Sequence, residues 1–306
     1  MTHADAIHTV RGPLDPTRLG RTLTHEHIFC DFYRVTGNLD QLLIDEELAV
    51  AELEALVRAG GHAVVDCTTP DLGRNPAGLR RVSERTGLHV IMGTGWYRRP
   101  YYPELIDRTP TDSLAARMIA ELAEGVEGTD VRAAIIGGVG AHDGYLTAQE
   151  ERVLRASARA HRATGAPITT HASMYPVGLA QLAILEDEGA DPSRVIIGHC
   201  DTSLDRDYHL AILRKGAYVQ FDTIGREHTN PDERRAHALV ALVRLGWVER
   251  LLLSCDRCSR SDLRAFGGLG YDAVFTRFFA RLRQRGLSDA ELDRMTIQNP
   301  RRALTW

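Results

Sequence analysis

Two histidines stand one residue apart in the stretch RTLTHEHIFC, residues 21–30. If this apolar, threonine-rich run forms a β-strand, His25 and His27 point to the same side, because side chains of a strand alternate between its faces. One metal ion could then bind both imidazoles. The alternative is a pair of partly exposed histidines at a strand end, so the pair predicts a site only if further ligands reach the same place.

Polar side chains end several other apolar runs of the chain. Cys67, His171, His199 and Asp256 each stand at the end of a short β-branched segment. Imidazole nitrogens and a carboxylate oxygen suit zinc, and also manganese, iron or cobalt. Any one of the histidines alone is better explained as a core or rim residue satisfied by hydrogen bonds. Four histidines at equivalent positions, together with an aspartate, favour a metal site.

The spacing of these runs predicts the fold. Apolar segments alternate with amphipathic ones, which is typical of βα units and a parallel sheet. The eight segments are residues 22–29, 62–68, 89–95, 133–140, 167–173, 194–201, 217–223 and 250–256. Eight such units in about 250 residues predict an α/β fold of the TIM-barrel type, in which the carboxyl ends of all strands meet at one mouth. An open doubly wound sheet is the alternative, although the chain has neither GxGxxG nor GxxxxGK[ST].

The bulk composition excludes several classes of protein. A net charge of −4 gives no basic excess for binding nucleic acid, and no window is apolar enough for a membrane span. The first residues lack a signal peptide, which predicts a cytoplasmic protein, and five cysteines do not indicate a disulfide framework. We expect residues 1–306 to form a single barrel domain, with a short hairpin near residues 8–22 and the segment 296–306 as additions to it.

Several short stretches resemble the phosphotriesterase family of the amidohydrolase superfamily. TLTHEH, THAS, IGHCD and LLLSCD occur in that order at the predicted strand ends, and CTTPDLGRN, GTGWY, VQFDTIG and NPRRAL are similar to the branch called phosphotriesterase homology proteins. The resemblance extends over almost the whole chain. It implies a hydrolase with two divalent metal ions, zinc being the first choice, and the homodimer that many relatives form.

The resemblance also implies a role for each candidate ligand. His25, His27 and Asp256 would hold the buried ion, and His171 and His199 the more exposed one. A hydroxide between two such ions becomes available near neutral pH, because adjacent cations lower the pKa of bound water. Asp256 would accept its proton as general base.

The fourth strand departs from the family pattern. The family places a carboxylated lysine or a glutamate there to bridge both ions, whereas this chain has Gly137 and Gly138. Lys215 is the only lysine and precedes the seventh strand, so it should lie at the opposite end of the barrel. Cys67 is the candidate replacement, because a thiolate can bridge two zinc ions, and the D-aminoacylases of the same superfamily resemble this arrangement. A buried apolar thiol is the alternative for Cys67, and His142 is a weaker candidate for the bridge.

Substrate contacts are less clearly indicated. Tyr97, in GTGWY, resembles the aromatic residue that lines the family's substrate pocket, and Arg226, in the loop after the seventh strand, could meet an anionic group. A packing tyrosine and a solvated loop charge are the alternatives.

The leading functional hypothesis is hydrolysis of an ester or lactone of a small molecule, with an amide or phosphoester as further options. The second hypothesis is a barrel that binds a small molecule or a single metal ion without turnover, because the two glycines remove a ligand.

Overall fold

A computed structural model describes residues 6–141 and 143–306 and contains one eight-stranded sheet of parallel strands. The strands, labelled in chain order, are β1 Thr22–Glu26, β2 Ala63–Asp66, β3 His89–Thr94, β4 Ile135–Gly140, β5 Ile168–His171, β6 Val195–Gly198, β7 Tyr218–Phe221 and β8 Leu251–Leu253. Each strand pairs with the next one along the chain. The eight predicted βα units and the TIM-barrel fold are therefore confirmed.

The barrel closes where β8 meets β1. Ser254 Oγ lies 2.8 Å from the carbonyl oxygen of His25, and the amide of His25 donates to the same Oγ over 3.0 Å. The amide of Asp256 also donates to the carbonyl of His25, over 3.2 Å. These bonds hold the segment after β8 against the end of β1, at the edge where the candidate ligands of both segments lie.

Helices alternate with the strands around the outside of the barrel. The longer ones are Glu46–Arg58, Pro76–Thr86, Thr111–Ala123, Ala148–Thr164, Gly178–Asp187, Arg206–Arg214 and Asp232–Arg244. Shorter ones are Tyr33–Thr36, Leu105–Arg108, Phe279–Gln284, Asp289–Asp293 and Asn299–Leu304. Helix Ala148–Thr164 shows why they begin and end where they do: Thr147 and Glu150 form a capping box, and Gly165 ends the helix with a φ of 81°.

Short elements surround this barrel. Ile7–Thr9 pairs antiparallel with Gly12–Leu14, which gives the hairpin predicted at the start of the chain. A second pair, Cys30–Asp31 with Leu42–Leu43, follows β1. None of the helices in residues 6–141 and 143–306 is long and apolar enough to cross a membrane.

Candidate metal centre

The first candidate ligand group lies where β1 meets the segment after β8. His25 is part of β1, and His27 follows one residue after the strand ends. Asp256 Oδ1 lies 3.4 Å from His27 Nε2 and 3.8 Å from His25 Nε2. All three side chains are buried, and their ligand atoms lie within 4.8 Å of one another. The two histidines of the HxH pair therefore reach the same carboxylate oxygen, as their spacing predicts.

The second group comes from β5 and β6. His171 is the last residue of β5 and pairs with Gly198, the last residue of β6, so that His199 follows at the same level of the barrel. His199 Nε2 lies 2.7 Å from His171 Nδ1. The rings of His199 and His25 are 4.7 Å apart between centroids. The structure therefore brings all four histidines and Asp256 to one place at the barrel mouth.

Two of these residues have an unusual backbone conformation. His199 has a φ of 55° and Asp256 a φ of 52°, in the left-handed region that residues with a side chain rarely adopt. Each such residue costs about 1–3 kcal/mol and persists only where its surroundings hold it. For Asp256 the backbone bond to His25 does so, and the amide of His199 donates to both carboxylate oxygens of Asp222, over 3.0 and 3.1 Å.

Asp222 is a member of the site that the sequence reasoning did not single out. It follows β7 directly and is fully buried. Its Oδ1 lies 2.7 Å from His199 Nδ1 and its Oδ2 lies 3.5 Å from His25 Nδ1. A carboxylate at the Nδ1 side of a histidine leaves Nε2 available for a metal. The feature of the sequence that points to Asp222 is its position at the end of the seventh strand, within VQFDTIG.

Glu26, between the two histidines, faces the other way. Its Oε1 accepts from Ser254 Oγ over 2.6 Å and from the amide of Cys255 over 2.7 Å, and its Oε2 accepts from the amide of Arg257 over 2.8 Å. Burial raises the pKa of Glu26 to about 7, against the opposing effect of these bonds. The residue supports the barrel wall and fixes the loop that carries Asp256.

Gly137 and Gly138 differ in what they would tolerate. Gly137 has a φ of 137°, and a Cβ there would lie 2.1 Å from the carbonyl oxygen of Thr169, so this position requires glycine. A Cβ on Gly138 would meet, among the described residues, only the ring of His25, at 3.5 Å from Cε1 and 4.0 Å from Nε2. Those are ordinary contacts. Space and backbone would therefore permit a side chain at position 138, pointing towards His25.

Cys67 lies directly after β2 and is buried. Its carbonyl accepts from the amide of Gly138 over 3.2 Å, so the ends of β2 and β4 are adjacent. Its side chain packs with the apolar side chains inside the barrel, among them Val65 and Ile91. Its sulfur belongs to no ligand group among the described residues. Burial raises the pKa of the thiol well above its usual value. His142, the other candidate for the bridge, lies outside the described residues.

Lys215 lies away from the ligands, and none of the remaining cysteines belongs to a ligand group among the described residues. Lys215 precedes β7 and pairs with Glu186 on the surface, over 2.7 Å. Cys200 is buried and contacts the carbonyl of Ile197. The sulfur of Cys258 accepts from Arg226 Nη2 over 3.0 Å.

A pocket of about 320 Å³ opens above the ligands. His27, His171 and Asp256 line it, together with Tyr97 and Arg226. The hydroxyl of Tyr97 lies 3.2 Å from His171 Nε2. Both residues predicted to contact substrate therefore lie in the pocket, and each also contacts a candidate metal ligand.

Arg226 is held on Asp256. Its Nη1 donates to Asp256 Oδ2 over 2.8 Å, and its Nη2 donates to the backbone oxygen of Asp256 and, over 3.2 Å, to Asp262 Oδ2. The two carboxylate oxygens of Asp256 are thus divided, with Oδ1 towards the histidines and Oδ2 towards the guanidinium. This ion pair was not predicted, because it depends on the conformation of two loops 30 residues apart in sequence.

The charges of the site are set by burial and by these ion pairs. Burial lowers the pKa of His25 to about 4 and that of His171 well below its usual value. Burial would also lower the pKa of His199, but the Asp222 carboxylate more than reverses this and raises it to about 9. Burial opposes ionisation of Asp256, yet Arg226 holds its pKa well below the usual range. Neutral His25 and His171 and anionic Asp256 are the protonation states that metal ligands require, whereas His199 would have to lose its proton to bind a metal ion.

The donor set of the first group fits a divalent metal ion. Two imidazole nitrogens and one carboxylate oxygen are the three protein ligands expected at a catalytic zinc site. The pair formed by His171 and His199 offers two more nitrogens, but among the described residues His171 belongs to no group of three donors. Five side chains are therefore available to bind metal.

A TIM barrel with this donor set at its mouth is the architecture of a metal-dependent hydrolase. The chain belongs to the Phosphotriesterase family, which it matches over residues 5–304. The resemblance carried by TLTHEH, THAS, IGHCD and LLLSCD is thereby confirmed.

Three relatives illustrate the range of this similarity. The chain is 41% identical to the phosphotriesterase homology protein of Escherichia coli, over 94% of this chain and 97% of that protein. The crystal structure of that protein, with phosphate in its active site, superimposes with a TM-score of 0.91 and covers 94% of this chain and 99% of that one. An N-acetyltaurine hydrolase of Tetraodon nigroviridis is 31% identical, over 98% of both chains. A lactonase of Listeria monocytogenes is 29% identical, with a TM-score of 0.93, over 98% of this chain and 99% of that one.

Proposed function

We propose that the chain hydrolyses an ester or lactone bond of a small molecule at a centre of two divalent metal ions, zinc being the first choice. The observation that carries the proposal is the convergence of His25, His27 and Asp256 with His171 and His199 beneath a single pocket. Two ions held there would activate water for attack and stabilise the negative charge that grows on the carbonyl oxygen. A lactonase among the structural relatives supports this choice of bond.

The side chains of this chain would divide the work as follows. His25, His27 and Asp256 hold the buried ion, and His171 and His199 hold the more exposed one. Asp256 would also accept the proton of the attacking water, and Arg226 would hold its carboxylate in position through Oδ2. The hydroxyl of Tyr97, next to His171 at the edge of the pocket, would contact the bond that breaks.

Cys67 is proposed as the ligand that replaces the family's strand-four bridge. Gly138 leaves the space towards His25 without a side chain, and the end of β2, which carries Cys67, lies directly beside it. A thiolate would add one negative charge to a site in which Asp256 is the only carboxylate in the first group. Because the thiol is buried, only a cation nearby would make its deprotonation favourable.

An amide is the alternative bond. The relatives include N-acetyltaurine hydrolases, which act on an N-acyl compound that also carries an anionic group. Arg226 lines the pocket and could contact such a group. A panel of substrates should therefore include short-chain lactones, aryl esters and N-acetyl amino acids, as well as a phosphotriester.

The test combines metal analysis with this panel. Protein purified without chelator should contain about two zinc equivalents per chain and should hydrolyse at least one member of the panel, and loss of metal to a chelator should abolish turnover. Turnover that survives complete removal of metal would contradict the proposal. A cytoplasmic location, a homodimer and a single domain over residues 1–306 remain predictions.

The second candidate function is a barrel that binds a small molecule, or one metal ion, without turnover. Gly138 is the observation that favours it, because the strand-four position faces His25 and carries no ligand. Such a protein would contain about one metal equivalent or less and would hydrolyse no member of the panel.

A further inference from the structure

A second cavity lies beside the pocket of the candidate site. It has a volume of about 470 Å³, against about 320 Å³ for the pocket above the ligands. Among the described residues that line the two cavities, Tyr101 is the only one common to both. Its side chain is therefore the wall between them.

The surroundings of Tyr101 hold its ring in place. The ring packs edge to face against Phe32, with 5.3 Å between centroids and an angle of 88°, and against Tyr97 at 5.4 Å. The guanidinium of Arg98 lies 5.5 Å from the centre of the same ring. Tyr97 and Phe32 line the pocket, so that this aromatic cluster links the wall directly to the groups above the metal ligands.

One part of the second cavity is apolar. Trp96, Tyr102 and Met118 contribute apolar surface to it. Its two carboxylates already have protein partners: Asp71 accepts from the amide of Tyr97 over 2.9 Å, and Glu121 pairs with the buried Arg74 over 2.7 Å. Two arginines, Arg34 and Arg117, line the cavity as well, and the guanidinium of Arg117 lies 5.9 Å from the centre of the Trp96 ring. The apolar surface of Trp96 and Met118 is the part of the cavity that an aliphatic or aromatic group would contact.

We propose that Tyr101 determines the substrate size that this enzyme accepts, by closing the second cavity to the acyl group of the substrate. The inference rests on the proposed hydrolysis at the adjacent pocket. With Tyr101 present, the pocket accommodates a short acyl group. With a small residue at position 101, the two cavities join, and a longer aliphatic acyl group, such as the octanoyl group, gains apolar surface to bind against.

The test compares Tyr101→Ala with Tyr101→Phe, which keeps the ring, and with Tyr102→Ala, which alters the second cavity but not the wall. The probes are the 4-nitrophenyl esters of acetate, butyrate, hexanoate and octanoate, and the measurement is kcat/KM in the zinc-loaded protein. The ratio of octanoate to acetate should rise by about tenfold or more in Tyr101→Ala and stay unchanged in Tyr101→Phe. The same ratio in Tyr101→Ala and in the unaltered protein would overturn the proposal.

A binding measurement separates this inference from the proposed function. Calorimetric titration of the zinc-loaded protein with octanoate and with acetate requires no turnover. Octanoate should bind about tenfold more tightly to Tyr101→Ala than to the unaltered protein, with acetate unchanged. If no ester is hydrolysed but this difference appears, the hydrolase proposal fails and the role of Tyr101 stands. If Tyr101→Ala does not fold, Tyr101→Leu replaces it in both measurements, and an unchanged octanoate preference in that variant refutes the role of Tyr101.

Discussion

The Asp222 carboxylate contacts one histidine from each of the two proposed metal centres. Its Oδ1 lies 2.7 Å from His199 Nδ1, and its Oδ2 lies 3.5 Å from His25 Nδ1. Gln220 Nε2 donates to Oδ2 over 2.6 Å and so fixes the orientation of the carboxylate. Both histidines therefore direct their Nδ1 at the same carboxylate, while Nε2 of His199 faces His171 and Nε2 of His25 faces Asp256. Asp222 thus couples the two proposed centres through one residue.

Asp222→Asn should weaken both centres together. The amide nitrogen of asparagine is a donor, so it favours a histidine tautomer whose Nε2 is protonated and cannot bind metal. We expect the affinity for zinc at both positions to fall by about 10–100-fold, measured by dialysis against zinc buffers with metal analysis.

Thr68→Val is the matched control for Asp222→Asn. Thr68 Oγ1 lies 2.8 Å from His27 Nδ1, so its loss affects a histidine of the first centre only. A variant at position 222 that loses one zinc ion and keeps the other at full affinity would contradict the coupling.

Cys67→Ala should lower the zinc content from about two equivalents towards one and should abolish hydrolysis of the lactone and ester panel, because a bridging charge is lost. The matched control is Cys200→Ala, because Cys200 is as buried as Cys67. Within the described residues, the hydrogen-bond partner of its sulfur is the carbonyl of Ile197. Zinc content is measured by metal analysis after gel filtration.

The double variant Cys67→Ala, Gly138→Glu extends this test. The φ of Gly138 lies outside the left-handed region, and a Cβ there would point at the ring of His25 without a clash. A glutamate at this position should restore the second zinc ion that Cys67→Ala loses. Unchanged zinc content and turnover in Cys67→Ala would remove Cys67 from the site.

The sequence predicted the barrel, and it predicted that five candidate ligands would lie together at its mouth, because both follow from strand periodicity. Apolar runs ending in a polar residue mark the carboxyl ends of strands, and a closed barrel brings those ends together whatever their distance in sequence. The boundaries were less accurate: β8 ends at Leu253, so Asp256 belongs to the following loop, and its φ of 52° turns the side chain back towards His25.

Other contacts could not be read from the sequence. The pairing of Arg226 with Asp256 depends on how two loops fold over each other, and no local pattern specifies that. Asp222 belongs to the motif VQFDTIG, but a lone aspartate after a strand does not indicate which histidines it will contact. The different requirements of Gly137 and Gly138 follow from the position of Thr169 on the neighbouring strand, which only the three-dimensional structure provides.

Asp256→Asn should depress kcat by about 10²–10⁴-fold, because the variant removes both a metal ligand and the group that accepts a proton. Folding should change little, since Arg226 keeps its contact with Asp262. The control is Asp262→Asn, which removes the other carboxylate partner of Arg226 but changes none of the candidate metal ligands. Turnover of Asp256→Asn at the unaltered rate would refute its role, and thermal unfolding of both variants separates loss of activity from loss of structure.

Asp71 should make the stability of the protein depend on pH. Burial raises the pKa of its carboxyl to about 6 from 3.8, although the amide of Tyr97 donates to the carboxylate. The folded chain therefore binds a proton between pH 3.8 and about 6 that the unfolded chain releases, so this residue makes the free energy of unfolding fall as the pH rises through that window. The fall should be on the order of 1–3 kcal/mol.

Asp71→Asn tests this dependence, because its side chain keeps an oxygen that can accept from Tyr97 but has no proton to lose. Urea unfolding between pH 4 and 7 should therefore show a flatter profile of unfolding free energy against pH for the variant. Parallel profiles would mean that Asp71 has the same pKa in the folded and unfolded chains.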